Sequence, residues 1–217
     1  MLQRLIAILF PPKCVLCRCL LKGSETDLCH SCRENEPEWI KAKRNIPFVA
    51  QWSAIWYYND NVRRSILRYK FYNARSYADV YGRMLAVKLQ DQMDTIDILT
   101  WVPISRLRRI KRGYDQVELL AYAVARELGI SPVKTLKKIR NTPPQSTLSD
   151  SAKRRANVLG AYRAIDPESL AGKRVLLLDD VITTGATVSE CARVLLTSGA
   201  KEVICAAIAA SSRDKKK

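Results

Sequence analysis

Val175-Leu176-Leu177-Leu178-Asp179-Asp180-Val181-Ile182-Thr183-Thr184-Gly185-Ala186-Thr187 is the stretch whose reading decides the fold. Its four leading apolar residues, Val175–Leu178, read as a buried strand. Two carboxylates follow, then a loop rich in Thr and Gly, then a helix expected over Thr187–Thr197 and closed by Gly199. Val203–Ala209 reads as the next strand. Strand–helix–strand alternation predicts an α/β fold with a parallel sheet. Ligands of such sheets sit at the carboxyl ends of the strands. Loop amides and a helix N-terminus there make a site for a phosphate. Gly185 lets the backbone approach closely, and Thr183, Thr184 and Thr187 offer hydroxyls. The acids would repel a bare phosphate beside them, so Asp179 and Asp180 are expected to face a sugar diol or a metal held by that diol. They act together only if the strand has ended by Asp180, because successive strand residues point to opposite faces. Otherwise one orients backbone and the other touches ligand.

The same segmentation extends upstream. Gln116–Leu128 is expected to be a helix with Gly129 as its C-cap, and Val80–Leu89 another. Trp52–Tyr58 and Asp97–Ile104 read as strands, and Leu136–Arg140 as a short one. Asn59-Asp60-Asn61 is expected to cap a helix that begins near Val62. Ser105–Tyr114 reads as an arginine-rich loop, and Ser149 as the cap of a basic helix through Ala156.

Seven cysteines include the two pairs Cys14-x2-Cys17 and Cys29-x2-Cys32. Two such knuckles make a tetrahedral four-thiolate site, the pattern of structural zinc. Disulfides are the competing reading, disfavoured by the odd count and the absence of a visible secretion signal. Cys19 is left spare, His30 is expected at the surface, and Cys191 and Cys205 are expected in the core. With its only histidine, His30, expected at the surface, the chain is expected to have no histidine-based triad or general base.

The 217 residues carry a net charge of +16. Between Trp101 and Arg155 there are 13 basic and four acidic residues. Such a field favours a polyanionic partner. Arg106, Arg108, Arg109, Lys111 and Arg112 can neutralise a pyrophosphate, grip a DNA backbone, or form a solvated surface. Arg68–Tyr77 interleaves cations and aromatics, which suits stacking on single-stranded nucleic acid or a helix with its aromatics in the core. Composition excludes intrinsic disorder, collagen and coiled coil. The longest apolar run, Val203–Ala210, has eight residues, too few for a membrane span. Leu2–Phe10 reads as a short amphipathic helix that packs on the neighbouring module rather than on a membrane. The expected organisation is an N-terminal helix and zinc module over 1–37, a linker over 38–47, the α/β domain over 48–212 and a solvated basic tail over 213–217.

Val175–Thr187 resembles the phosphoribosyl diphosphate (PRPP) motif of type I phosphoribosyltransferases. More of the chain is similar to one subgroup, the ComF (ComFC) competence proteins. The likeness is carried by Phe10-Pro11-Pro12-Lys13-Cys14, by Val102-Pro103 with the arginines up to Arg112-Gly113-Tyr114-Asp115-Gln116, and by Thr142–Ser149 followed by Arg154, Arg155, Asn157 and Gly160. Where that family often has Leu-His-Pro and Phe-Asn-Gln, this chain has Ile104-Ser105-Arg106 and Tyr114-Asp115-Gln116. The resemblance implies a type I phosphoribosyltransferase core with flanking helices and a variable hood. It implies catalytic roles for Asp179 and Asp180, and PRPP binding by Val181, Ile182, Thr183, Thr184, Gly185, Ala186 and Thr187 with Mg2+. It also implies a cytoplasmic role in natural transformation, with single-stranded DNA, and a helicase or recombination mediator as partners. Thr183 stands where 6-oxopurine phosphoribosyltransferases carry an Asp, which disfavours hypoxanthine/guanine salvage but leaves other acceptors open, since some relatives use Thr there. Three readings follow: a DNA-uptake accessory protein that binds PRPP, an active phosphoribosyltransferase with an unidentified acceptor, and a nucleic-acid-binding protein with a vestigial loop.

Overall fold

A computed structural model describes residues 11–35, 40–41, 45–143 and 151–211. The expected helix over Leu2–Phe10, the segment Pro144–Ser149 and the basic tail lie outside the described residues.

Five strands form one sheet in the order β1 (Ile40–Lys41), β2 (Gln51–Tyr57), β7 (Glu202–Ala210), β6 (Arg174–Ile182), β3 (Ile98–Trp101). All neighbours are parallel except β1, which pairs antiparallel with β2 at the edge. That edge strand falls within the segment read as a linker. β6 and β7 are central and apolar on both faces, as a doubly covered parallel sheet requires. Leu176 and Leu178 face one core with Tyr69, Tyr81, Leu120 and Val124. Val175 and Leu177 face the other with Val188, Cys191 and Leu195.

The first face is covered by α2 (Asp60–Phe71), α3 (Tyr77–Leu89) and α5 (Gln116–Leu128). The Asn59 side chain accepts from the Val62 amide and starts α2, as its position in the sequence predicts. α3 begins three residues before the expected Val80. α5 keeps its predicted limits, because the Asp115 carboxylate accepts from the Val117 and Glu118 amides and Gly129 closes the helix at φ 68°. The second face is covered by α7 (Ala186–Thr197) and by a separate antiparallel pair, β4 (Leu136–Lys138) with β5 (Tyr162–Ala164), joined to α6 (Ser151–Val158).

Three expectations are corrected. β3 ends at Trp101 rather than Ile104, because Pro103 has no amide to continue the ladder. Ser105–Tyr114 is not a loop: α4 spans Arg106–Arg112. The Ser105 hydroxyl accepts from the Arg108 amide, Gly113 closes the helix at φ 77°, and Leu, Arg and Lys between them are good helix formers. β6 runs on to Ile182, so both acids lie within the strand.

The N-terminal knuckles, with α1 (His30–Glu34), join the first core through Cys14, Val15, Leu16, Leu28 and Cys29. Arg68 on α2 donates to the Val15 and Leu16 carbonyls at 2.9 and 2.6 Å, and the Ser65 hydroxyl donates to Val15 as well.

α3 and α5 approach closely at Gly82, where a Cβ would lie 2.6 Å from the Ala123 Cβ and 2.9 Å from its carbonyl carbon. Gly82→Ala therefore overpacks this contact and should cost about 1–3 kcal/mol. Guanidinium unfolding should show a lower midpoint, and an unchanged midpoint would mean that the helices separate at no cost.

Candidate functional site

A shallow pocket opens where β6 passes into α7, lined by Asp179 and Val181–Val188. Gly185 forms the helix cap at φ 81°, a left-handed conformation that favours glycine. A Cβ there would also sit 3.1 Å from three carbons of the Ile46 side chain, which is buried against the loop. The Thr184 hydroxyl accepts from the Ala186 amide at 3.3 Å and the Ser211 hydroxyl donates to the Thr183 carbonyl at 3.0 Å, so the loop is held from within and from the end of β7. α7 then presents the positive end of a 12-residue helix to the pocket.

The two aspartates are separated by the pleat. Asp179 lines the pocket on the α7 side, and its carboxylate accepts from the Asp180 amide at 2.8 Å. Burial first, then the neighbouring Asp180 charge, pushes the Asp179 carboxyl up to about 8. Asp180 points to the opposite face. Its Oδ1 pairs with Lys70 Nζ at 2.7 Å and its Oδ2 accepts from Gln116 Nε2 at 2.7 Å. Burial opposes ionisation of Asp180, but the Lys70 charge and these hydrogen bonds outweigh it and hold the carboxyl below its usual range. The expectation that both acids face the ligand together is thus replaced by its alternative: Asp179 faces the pocket and Asp180 ties the strand to α2 and α5.

Lys70 and Gln116 belong to this arrangement, and no local pattern marks them. Their partner lies 110 and 64 residues away in the chain, beyond the reach of any spacing rule. Lys138 on β4 is a third such residue. Its ammonium donates to the Tyr162 hydroxyl at 3.2 Å, and burial, then the nearby Arg108 charge, lowers it to about 8.

The cations of α4 diverge. Arg108 Nη2 donates to the Thr142 carbonyl at 2.8 Å, Arg109 pairs with Glu118 at 3.0 Å, and Arg112 Nη1 donates to Gln116 Oε1 at 2.7 Å. Arg106 and Lys111 have no partner among the described residues and are exposed.

The thiol sulfurs of Cys14, Cys17, Cys29 and Cys32 all lie within 4.8 Å of one another, and Cys17 and Cys29 are 3.6 Å apart. A tetrahedron of Zn–S bonds of ~2.3 Å spaces its sulfurs by about 3.8 Å, so the cluster fits a four-thiolate metal. Cys19 is not one of these four, although its thiol interacts with those of Cys17 and Cys29, and His30 is exposed. Cys191 and Cys205 are fully buried, with thiols pushed well up by burial, as core residues are.

The sheet and the loop pocket at the end of β6 define the class: the phosphoribosyl transferase domain family matches residues 118–217. Competence protein F of Haemophilus influenzae is 30% identical over 182 residues, 81% of this chain and 75% of that protein. The DNA utilization protein YhgH of Escherichia coli K12 is 28% identical over 86% of this chain and 79% of its own length. Competence protein ComFC of Streptococcus pneumoniae is 30% identical over 69% of this chain and 64% of its own. A solved glutamine PRPP amidotransferase from B. subtilis is 25% identical and covers 64% of this chain and 30% of that one, with a TM-score of 0.44. The chain belongs to the ComF family of phosphoribosyltransferase-like proteins. Among the described residues no helix is long and apolar enough to cross a membrane.

Two outcomes follow from these geometries. An acid whose carboxyl is raised on folding supports full stability below its ordinary value near 3.8 and loses it as pH rises toward 8. Asp179→Asn keeps the acceptor for the Asp180 amide and removes the buried charge. In magnesium-free buffer its melting temperature should match wild type near pH 4 and exceed it increasingly up to pH 8. Equal melting at both ends would show that Asp179 is not forced into its charged form in the core. Chelation should lower the melting temperature of the full chain, since the thiol knuckles are packed into the first core. An unaltered melt after demonstrated metal removal would leave the four thiols without a structural metal.

Proposed function

We propose that this protein binds PRPP with magnesium in the Asp179–Val188 pocket and serves the handling of incoming single-stranded DNA in the cytoplasm during natural transformation. The observation that carries the PRPP reading is the pocket itself: a glycine-capped helix N-terminus, three threonines and one buried carboxylate at the carboxyl end of a central parallel strand. The loop and α7 take a phosphate. Asp179 faces the ribose diol, directly or through magnesium. Magnesium, if bound there, would supply positive charge against the diphosphate and Asp179. Asp180, with Lys70 and Gln116, fixes the strand that carries Asp179 and makes no direct contact with the sugar.

The DNA reading rests on the net charge of +16 and on relatives named for competence and DNA utilization. Arg106 and Lys111 are the α4 cations open to a polyanion. A structural zinc on Cys14, Cys17, Cys29 and Cys32 completes the proposal. Thr183 and Thr184 in the pocket have no acid–base chemistry at neutral pH, which favours a binding role over purine salvage.

Calorimetric titration of the full chain with PRPP tests this. Wild type should bind in the presence of magnesium and lose affinity without it. Gly185→Ala, strained at φ 81° and pressed on Ile46, should weaken binding by at least roughly tenfold, the effect of ~1.4 kcal/mol. No heat with wild type at millimolar PRPP would overturn the assignment.

A further inference from the structure

We propose that Phe71 and Tyr72, at the end of α2, form a stacking platform for the bases of single-stranded DNA. This inference rests on the DNA part of the proposed function and gives it a location.

The segment Arg68–Tyr77 divides in the structure. Tyr69 is fully buried, and Tyr77 packs edge-on against Tyr81. These two account for the core-facing half of the pattern. Phe71 and Tyr72 do not: they are 57% and 76% exposed. Single exposed aromatics are ordinary. Two in succession, on a projecting turn bordered by cations, form a surface with a definite chemistry.

The turn is built by Asn73 at φ 54°, which reverses the chain just after Tyr72. The Tyr72 and Ala74 amides both return to the Arg68 carbonyl, so the turn is closed on itself. Arg75 folds back beside it. Its Nε donates to Asn73 Oδ1 at 2.8 Å, and its guanidinium lies 4.8 Å from the centre of the Tyr114 ring. The Arg112 guanidinium lies 4.7 Å from the centre of the Phe71 ring and is fixed by Gln116. More than half of Phe71 stays exposed with Arg112 in place. Aromatic rings flanked by oriented guanidinium groups offer stacking for bases and charge for phosphates at one place.

Charge decides the kind of partner. Residues 61–78 and 98–114, the two segments that meet here, carry ten Lys and Arg and not one Asp or Glu. An acidic partner with accessible flat faces fits this surface, and single-stranded DNA has both. A duplex hides its base faces, so it would meet the cations and leave the rings unused. The platform is tied to β6 from the face opposite the pocket: Arg112 donates to Gln116, and Gln116 donates to Asp180.

The test is fluorescence anisotropy with a labelled oligothymidylate of about 20 nucleotides, longer than one small domain covers. A duplex of equal length is measured beside it, over a range of salt. Replacing Phe71 and Tyr72 together by Ala should weaken single-strand binding at least roughly 30-fold, from a stacking contribution of ~1–3 kcal/mol for each of two bases. Duplex binding should change little. The slope of log K against log salt should stay as in wild type, since no charge is removed. Replacing both by Leu keeps the apolar area and removes the ring faces. That variant should also lose single-strand affinity, and it guards against a folding defect in the first, which melting curves would reveal. Wild-type single-strand affinity in both variants overturns the platform, as does equal loss for single strand and duplex, or a loss matched by a shallower salt slope. If wild type binds no oligonucleotide at all, the DNA part of the proposed function falls as well, so the two failures are distinguishable.

Discussion

A strand sends consecutive side chains to opposite faces, and β6 brings two consecutive carboxylates to the carboxyl end of the sheet. That constraint governs the site. One acid must enter each half of the core, and each half must accommodate it. On the α7 side Asp179 opens onto the glycine-capped loop, where its carboxylate accepts from the Asp180 amide. On the other side Asp180 would be a buried charge without a partner, which is costly in a low dielectric. Lys70 and Gln116 supply the partner. The acid pair is therefore two different devices: a carboxyl facing the pocket and raised by burial, and an anchor.

α2 connects this anchor to the rest of the molecule. Ser65 and Arg68 hold the carbonyls of the first cysteine knuckle, Lys70 holds Asp180, and Phe71 and Tyr72 emerge at its end. Within the eight positions from Ser65 to Tyr72, this helix and its C-cap thus reach the first cysteine knuckle, the central strand and an exposed aromatic surface. The thiol module contributes Val15, Leu16 and Leu28 to the same core as Trp56 and Tyr81. A module too small to bury a core alone shares one with the sheet.

Much of this was legible in the chain. The apolar runs of β6 and β7, the Asp115 cap and Gly129 stop of α5, and the paired Cys-x2-Cys spacings are local patterns, and local patterns survive folding. The arginine segment Ser105–Tyr114 misled because charge suggested a loop, whereas the cap residues at its two ends and the helix formers between them make α4. The strand reading of Val175–Leu178 stopped early because carboxylates are rare in strand interiors. The polar residues were placed by their tertiary partners, not by their type.

The sequence by itself determined the strands β2, β3, β6 and β7, the helices α2, α3, α5 and α7, the glycine-capped loop after β6 and the four-thiol spacing, because each depends on residues within a few positions of one another. Only the tertiary structure decided which aspartate faces the pocket, which cations of α4 remain open, and which aromatics of Arg68–Tyr77 are buried. Those outcomes depend on partners far away in the chain, and distance in space is set by the packing of the whole sheet.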